Sequence, residues 1–430
     1  MLGPLPPEGR DLDLVVRGPE RDAAASALAA QGFLPRGPRM TPRRRWVEQW
    51  ARFRGDSAFS VDLNPAERWG RRDAELAALF AEARPLDGMA HIGRPAPHHV
   101  LLLAARRLAR HGVMDAKRRA RIERALVEDP DAWEVAWERA PQWGLRPALS
   151  VLQATYDTGA AVPRLTRARA LASLLRAGGG GLWGEVLARR VRSKLPRRTR
   201  VVSISGLDGA GKSSQTKALQ QTLEALGVDV IVDWMPLGHS PRYRTIRLLR
   251  TSVNTALRLG KQVRGSNGSL PGRDAAAARG KPTSPAKALR QRSKAVTHSW
   301  ATVVALHQAL QHRKTTLRHL GSGKIVIFDR YTLDAAAQLR YFYGSRHGFR
   351  FQKWLVQRVS PKARRSYFLE VRPETAFARK EHHYDFEGLR KHAELYAEEA
   401  PRLPVVRLDG ERPREELSEQ IAREVWEAVG

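Results

Sequence analysis

The stretch "GLDGAGKSS" at residues 206–214 constrains this chain more than any other. Its pattern, G-x-x-x-x-G-K-S, cradles phosphate where a strand leads in and a helix leads out. Both flanks comply. "RVVSIS" upstream is a β-branched run suited to a buried parallel strand, and downstream Leu219, Leu223 and Leu226 recur at helical spacing before Gly227. Gly206, Gly209 and Gly211 permit the backbone angles and close approach that aim successive N–H groups at phosphate oxygens. The helix that follows adds the positive end of its dipole. Lys212 is expected to reach the β- and γ-phosphates, and the Ser213 hydroxyl to ligate magnesium. Gly206, Gly209, Ala210, Gly211, Lys212, Ser213 and Ser214 are therefore the expected ATP-binding residues.

A chain of 430 residues is long for one hydrophobic core, so two domains are expected. The formal net charge of +31 is unusual and clustered: residues 161–200 carry 11 basic and 1 acidic side chain, residues 241–300 carry 14 and 1. Such runs suit nucleotides, nucleic acid or an anionic membrane surface, or else form solvated linkers. With no Cys, disulfide and thiolate chemistry are excluded. No run of 18 apolar residues occurs and the amino terminus "MLGPLPPEGRDLD" has no signal-peptide pattern, so a cytoplasmic location without a transmembrane segment is expected.

Residues 1–95 mix strands with a helix, and residues 96–178 are mostly helical, including "RIERALVEDPDAWEVAWERA". Four Gly followed by a basic run mark residues 179–199 as a linker. From residue 200 to 430 strands and helices alternate: "RVVSIS", "VDVIVDW", "KIVIFD", "RRSYFLEV" and "LPVVRLD" are the strand candidates. Repeated βα alternation predicts a parallel sheet in a three-layer α/β domain. Residues 260–287, rich in Gly, Ser and Pro, read as a disordered insert.

A second motif, "KIVIFDRYTLDAAAQLRYFYG", refines the chemistry. Its apolar strand ends at Asp329, which delivers a carboxylate to the carboxyl edge of the sheet, where it can orient magnesium. Arg330 beside it offers a guanidinium to a phosphate on the acceptor. Taken together, "GLDGAGKSSQ", "FDRY", "YFLEVRPETAFARK" and "RLDGERPREELSEQI" resemble thymidylate kinase in order, spacing and wording. The resemblance spans about residues 200–430 apart from about 235–320. It implies a P-loop kinase with a five-stranded parallel sheet and helices on both faces. The reaction it implies is ATP- and Mg2+-dependent phosphoryl transfer to a nucleoside monophosphate, dTMP to dTDP by default.

By position the resemblance makes Lys212, Asp329 and Arg330 catalytic and assigns Asp208 and Arg330 to the acceptor. Because the loop has Ala210 rather than Arg, the catalytic cation is expected from the lid, as Arg379 or Lys380. The neighbouring His382 and His383 read as lid or surface residues rather than metal ligands. Departures cluster on the acceptor side. Asp334 stands where the family has Ser, and Gln338 and Leu339 replace an aromatic and a thymine-contacting polar residue. Such changes favour another small acceptor, a sugar or sugar phosphate among them. A homodimer, and a nucleotide-dependent regulatory or nucleic-acid-binding protein, stay open.

The amino-terminal stretch "EGRDLDLVV" sets Asp11 and Asp13 on one face of a strand, and "WARFRGDSAFSVDLNP" reads as a hairpin turning at Gly55 and Asp56 with Asp62 on its return strand. Three converging carboxylates suit two divalent metals in nucleotidyl transfer. With the helix of "PERDAAASALAAQGF", these residues resemble the nucleotidyltransferase superfamily. The resemblance implies an α+β domain with a helical extension, although Arg10 stands where the superfamily has Ser.

Overall fold

The computed structural model describes residues 11–36, 48–66, 73–86, 89–159, 163–177, 200–235, 294–344, 348–379 and 386–429. The linker at 179–199, the insert at 260–287, and Lys380, His382 and His383 lie outside them. The chain divides into two compact units, one of residues Met1–Arg52 and Phe59–Pro196, the other of Phe53–Ala58 and Arg197–Gly430.

The first unit opens with β1 (Asp11–Val16), α1 (Arg21–Ala30), β2 (Leu34–Pro35), β3 (Glu48–Arg54) and β4 (Ser57–Pro65), in a sheet of order β1-β4-β3-β2. Strand alternation separates two faces. Leu12, Leu14 and Val16 pack with Val61 and Leu63 under Ala24, Ala25 and Leu28 of α1. The intervening residues of β1 and β4 occupy the opposite face. Then follow α2 (Asp73–Ala81), the antiparallel pair β5 (Arg84–Leu86) and β6 (Met89–Arg94), and five helices. These are α3 (Pro97–His111), α4 (Ala116–Glu128), α5 (Ala132–Arg139), α6 (Arg146–Thr158) and α7 (Arg164–Ala177). Their core gathers Leu101, Leu102 and Leu108 with Ile122, Leu149 and Leu152. The helical run expected over "RIERALVEDPDAWEVAWERA" is two helices, because Asp129 precedes Pro130 and adopts an extended conformation, φ −148° and ψ 97°.

In the second unit β7 (Arg200–Gly206), α8 (Lys212–Ala225) and β8 (Val230–Trp234) precede α9 (Lys294–Arg318) and β9 (Ile325–Asp329). Next come α10 (Thr332–Tyr343), α11 (Arg350–Val359), β10 (Arg365–Glu370) and α12 (Pro373–Ala378). The chain closes with α13 (Phe386–Glu399), β11 (Val406–Asp409) and α14 (Arg414–Ala428). All five predicted strands form, in one sheet of order β11-β10-β7-β9-β8, and every neighbouring pair is parallel. The central strands β7 and β9 are buried along nearly their whole length, as strands covered by helices on both faces are, with Ser203 and Ser205 among the buried residues of β7.

At the end of β7 the chain turns too tightly for side chains. Gly206 has φ +152°, and a Cβ there would meet the Leu369 carbonyl oxygen at 2.7 Å; at Gly209, φ +90°, it would run into the Ala376 carbonyl oxygen. Backbone cannot yield as a flexible side chain does, so Gly209→Ala combines a clash with a left-handed φ. The substitution is expected to destabilise the second unit by about 1–3 kcal/mol, read as a lower urea midpoint at unchanged m-value.

Candidate functional site

The residues singled out in the second unit converge at the carboxyl ends of β7 and β9. Ile204 lies in register with Asp329, so the loop leaving β7 and the carboxylate ending β9 are neighbours. Lys212 and Ser213 open α8, whose amino terminus is capped by Gly211 at φ +85°. The Ser213 Oγ donates to Asp329 Oδ2 at 2.8 Å. The other Asp329 oxygen, Oδ1, is buried and has no hydrogen-bond partner among the described residues. Burial pushes the Asp329 pKa up, against the opposing pull of Lys212 and the Ser213 hydrogen bond.

Lys212 is almost wholly buried. Its Nζ donates to the Leu207 carbonyl at 2.6 Å and lies 3.7 Å from Asp208 Oδ1. Burial first, and the nearby Arg330 second, lower its pKa to about 8. Arg330 itself is strained, with φ +81° in a non-glycine residue. Its N–H donates to the Ile204 carbonyl at 3.1 Å, its Nη2 is bonded to Asp208 Oδ1, and its Nη1 lies 3.9 Å from Asp334 Oδ1. The Arg330 Nε is buried and has no acceptor among the described residues. A conformation that costs on the order of 1–3 kcal/mol is thus held by one backbone bond and two carboxylates, at a position where a guanidinium is aimed across the loop.

Asp334 is the hub that the sequence marked only as a departure. Buried in the first turn of α10, it accepts from the Tyr331 N–H at 2.8 Å through Oδ2 and from the Tyr396 hydroxyl at 2.6 Å through Oδ1. Tyr396 and His392 both come from α13, and His392 stacks on Tyr341 with centroids 3.7 Å apart. Burial, then the charge of Arg330, lowers the His392 pKa to about 4, so its imidazole is neutral at pH 7. Tyr396 and His392 sit on the buried stripe of an ordinary amphipathic helix, and nothing in "HAELYAEEA" distinguishes a site residue from a core one.

The other predicted residues fall in three places. Ser214 is exposed on α8 and Ala210 is buried in the loop. Arg379, just after α12, donates through Nη1 to the Gly410 carbonyl at 3.0 Å. In the first unit, β1 and β4 are parallel and Asp13 is directly opposite Asp62, with Asp11 opposite Ser60 two residues along. Asp13 and Asp62 therefore share the sheet face that is turned away from α1. Asp13 also acts on Arg107 of α3, raising a pKa that burial and Arg118 lower.

Among the described residues one group has the makings of a metal site: Glu82, His98 and His99. Its carboxylate is already engaged on both oxygens, by His98 Nε2 at 2.8 Å and by an Arg139 guanidinium nitrogen at 3.3 Å, so we read it as an ion-pair network. His99 stacks on Trp143 at 5.3 Å, and burial lowers its pKa to about 4.

Removal of the Asp334 carboxylate should orphan two buried donors at once. Asp334→Ala is expected to cost about 1–3 kcal/mol in chemical denaturation, and Tyr396→Phe, which deletes one donor and leaves no orphan N–H, markedly less. Compared with protein-family models and with curated proteins, the chain matches none.

Proposed function

We propose that residues 200–430 act as a kinase, moving the γ-phosphoryl group of ATP to a small acceptor, in the manner of thymidylate kinase. The observation that carries this reading is the Ser213–Asp329 hydrogen bond beside a buried Asp329 Oδ1 that has no partner among the described residues. A buried carboxylate oxygen without a donor is costly unless a cation or its water completes it. Ser213 and Asp329 would hold Mg2+, which when bound neutralises charge on the donor phosphates. The turn at Gly206, Gly209 and Gly211 would present backbone N–H groups to those phosphates, and Lys212 would supply the adjoining positive charge. Arg330, whose Nε has no acceptor among the described residues, would orient the acceptor, and Asp208 would share that role. Arg379 or Lys380 would add a further cation from the lid. A cytoplasmic location belongs to the same reading.

The nucleoside monophosphate is the acceptor by resemblance. A second reading, a sugar or sugar phosphate acceptor, is favoured by Asp334, a buried carboxylate wired to Tyr396 where the family has Ser. In that reading the first unit, with Asp13 opposite Asp62, would nucleotidylate the same metabolite or bind it as an inactive nucleotidyltransferase-like domain.

ADP release from MgATP across nucleoside monophosphates, sugars and sugar phosphates tests the reading. Lys212→Ala is expected to abolish turnover, because the γ-phosphate loses its main positive partner; substantial residual activity would overturn the assignment. Replacing Asp11 and Asp13 together with Asn should leave that turnover intact. Titration offers an independent check. Lys212 has its pKa lowered to about 8, so at pH 8 the free protein carries it partly deprotonated. Bound phosphates favour the charged form, so ATP binding at pH 8 should take up protons, seen as a buffer-dependent calorimetric enthalpy. The uptake should fade by pH 6, where Lys212 is already protonated, and vanish in Lys212→Ala.

A further inference from the structure

We infer that Gln308 and His312 of α9 are positioning residues for Asp329: they fix the end of β9 from which its carboxylate emerges, and thereby set the metal affinity of the site. The inference rests on the kinase reading of residues 200–430. Met235, the residue after β8, donates its N–H to the Asp329 carbonyl at 3.2 Å. Its own carbonyl accepts from Gln308 Nε2 at 2.9 Å. Two hydrogen bonds thus lead from α9 to the residue whose carboxylate would hold Mg2+. From the other side the Arg330 N–H is bonded to the Ile204 carbonyl of β7, so the end of β9 is held on both flanks.

The Gln308 amide is oriented as well as buried. The residue is 1% exposed, and its Nε2 also lies 3.1 Å from His312 Nε2. Its Oε1 is buried and has no donor among the described residues. A carbonyl left without a donor is costly, so the orientation is set by what the amide N–H groups meet, the Met235 carbonyl and an imidazole nitrogen. Burial lowers the His312 pKa to about 3, so the ring is neutral at pH 7. A neutral ring that accepts at Nε2 carries its proton on Nδ1, which is 2.9 Å from Ser360 Oγ. The same ring lies against Tyr331 and Phe328, with centroids 4.4 Å and 5.1 Å away. Those two rings stack on each other at 4.9 Å, so Asp329 and the strained Arg330 are bracketed by side chains that both touch His312. The cluster around Phe328 and Tyr331 is otherwise apolar, with Val201, Val326 and Met235. Packing alone therefore calls for no amide and no imidazole there, whereas a directed hydrogen bond to Met235 calls for both. Groups behind a metal ligand that fix its orientation are worth roughly 10–100-fold in metal affinity.

The test reads metal and nucleotide separately on the full chain and needs no acceptor. Mn2+ affinity of the protein–ADP complex is measured by water-proton relaxation enhancement, and affinity for ADP alone by calorimetry in EDTA. Gln308→Met keeps the side-chain length and removes the amide; it should weaken Mn2+ binding about tenfold and change metal-free ADP binding less than about twofold. His312→Leu should act in the same direction. His312→Gln, whose amide oxygen can accept where Nε2 does, should restore Mn2+ affinity to within about threefold of the unmodified chain. This His312 pair decides the matter where Gln308→Met does not fold. Thr315→Val removes the 2.7 Å hydrogen bond from the same helix to Asp233, and should lower the urea midpoint while leaving Mn2+ affinity unchanged. An unmodified chain that binds ADP and Mn2+, with Mn2+ affinity indifferent to Gln308→Met and His312→Leu, would overturn the inference and leave the kinase reading standing. Equal losses of metal and nucleotide affinity, in step with the urea midpoint, would also overturn it. An unmodified chain that binds neither would overturn the kinase reading and this inference together.

Discussion

The pairing of β7 with β9 is the constraint on which the second unit's candidate site rests. Parallel register sets Ile204 beside Asp329, and from that adjacency the loop after one strand meets the carboxylate ending the other. A one-residue slip would turn Asp329 to the opposite sheet face and bury Phe328 on the wrong side. The apolar run "IVIF" therefore does chemical as well as structural duty, since its burial fixes where a charged group emerges. The same logic holds in the first unit, where β1 and β4 carry a hydrophobic ladder under α1 and, on the reverse, Asp13 opposite Asp62.

Charge at the end of β9 is nearly self-compensating. Lys212 and Arg330 are faced by Asp208, Asp329 and Asp334, all within a largely buried cluster. Desolvation decides the direction for Lys212 and Asp329, each of which is pushed toward its neutral form. Each of these buried charges is offset by its neighbours, and removing one partner would leave the other uncompensated.

The sheet was legible in the sequence because each strand is a short β-branched or aromatic run bounded by helical periodicity or turns. The loop was legible because its Gly positions answer a backbone demand, seen in the φ of +90° at Gly209 and +85° at Gly211. The hairpin over Gly55 and Asp56 was equally plain, whereas α2 was hidden among the strands around it and Asp129 before Pro130 divides a helical stretch into two helices. Tyr396, His392 and Tyr341 had no local signature, since their meeting depends on α13 packing against α10. Arg330 was readable as a cation, but its φ of +81° and its division between two carboxylates were not, because both arise from tertiary placement.

The contact between Gly209 and the Ala376 carbonyl has a mechanical corollary. Backbone rests on backbone there, with no side chain as cushion, so the turn after β7 and the last residues of α12 cannot shift independently. Arg379 follows directly on α12 and is tied in turn to the Gly410 carbonyl beyond β11. Three segments far apart in sequence are thus joined by one close approach of backbone to backbone and one hydrogen bond. An insertion or a bulkier residue in any of them would be felt as a change in shape of the turn at Gly209.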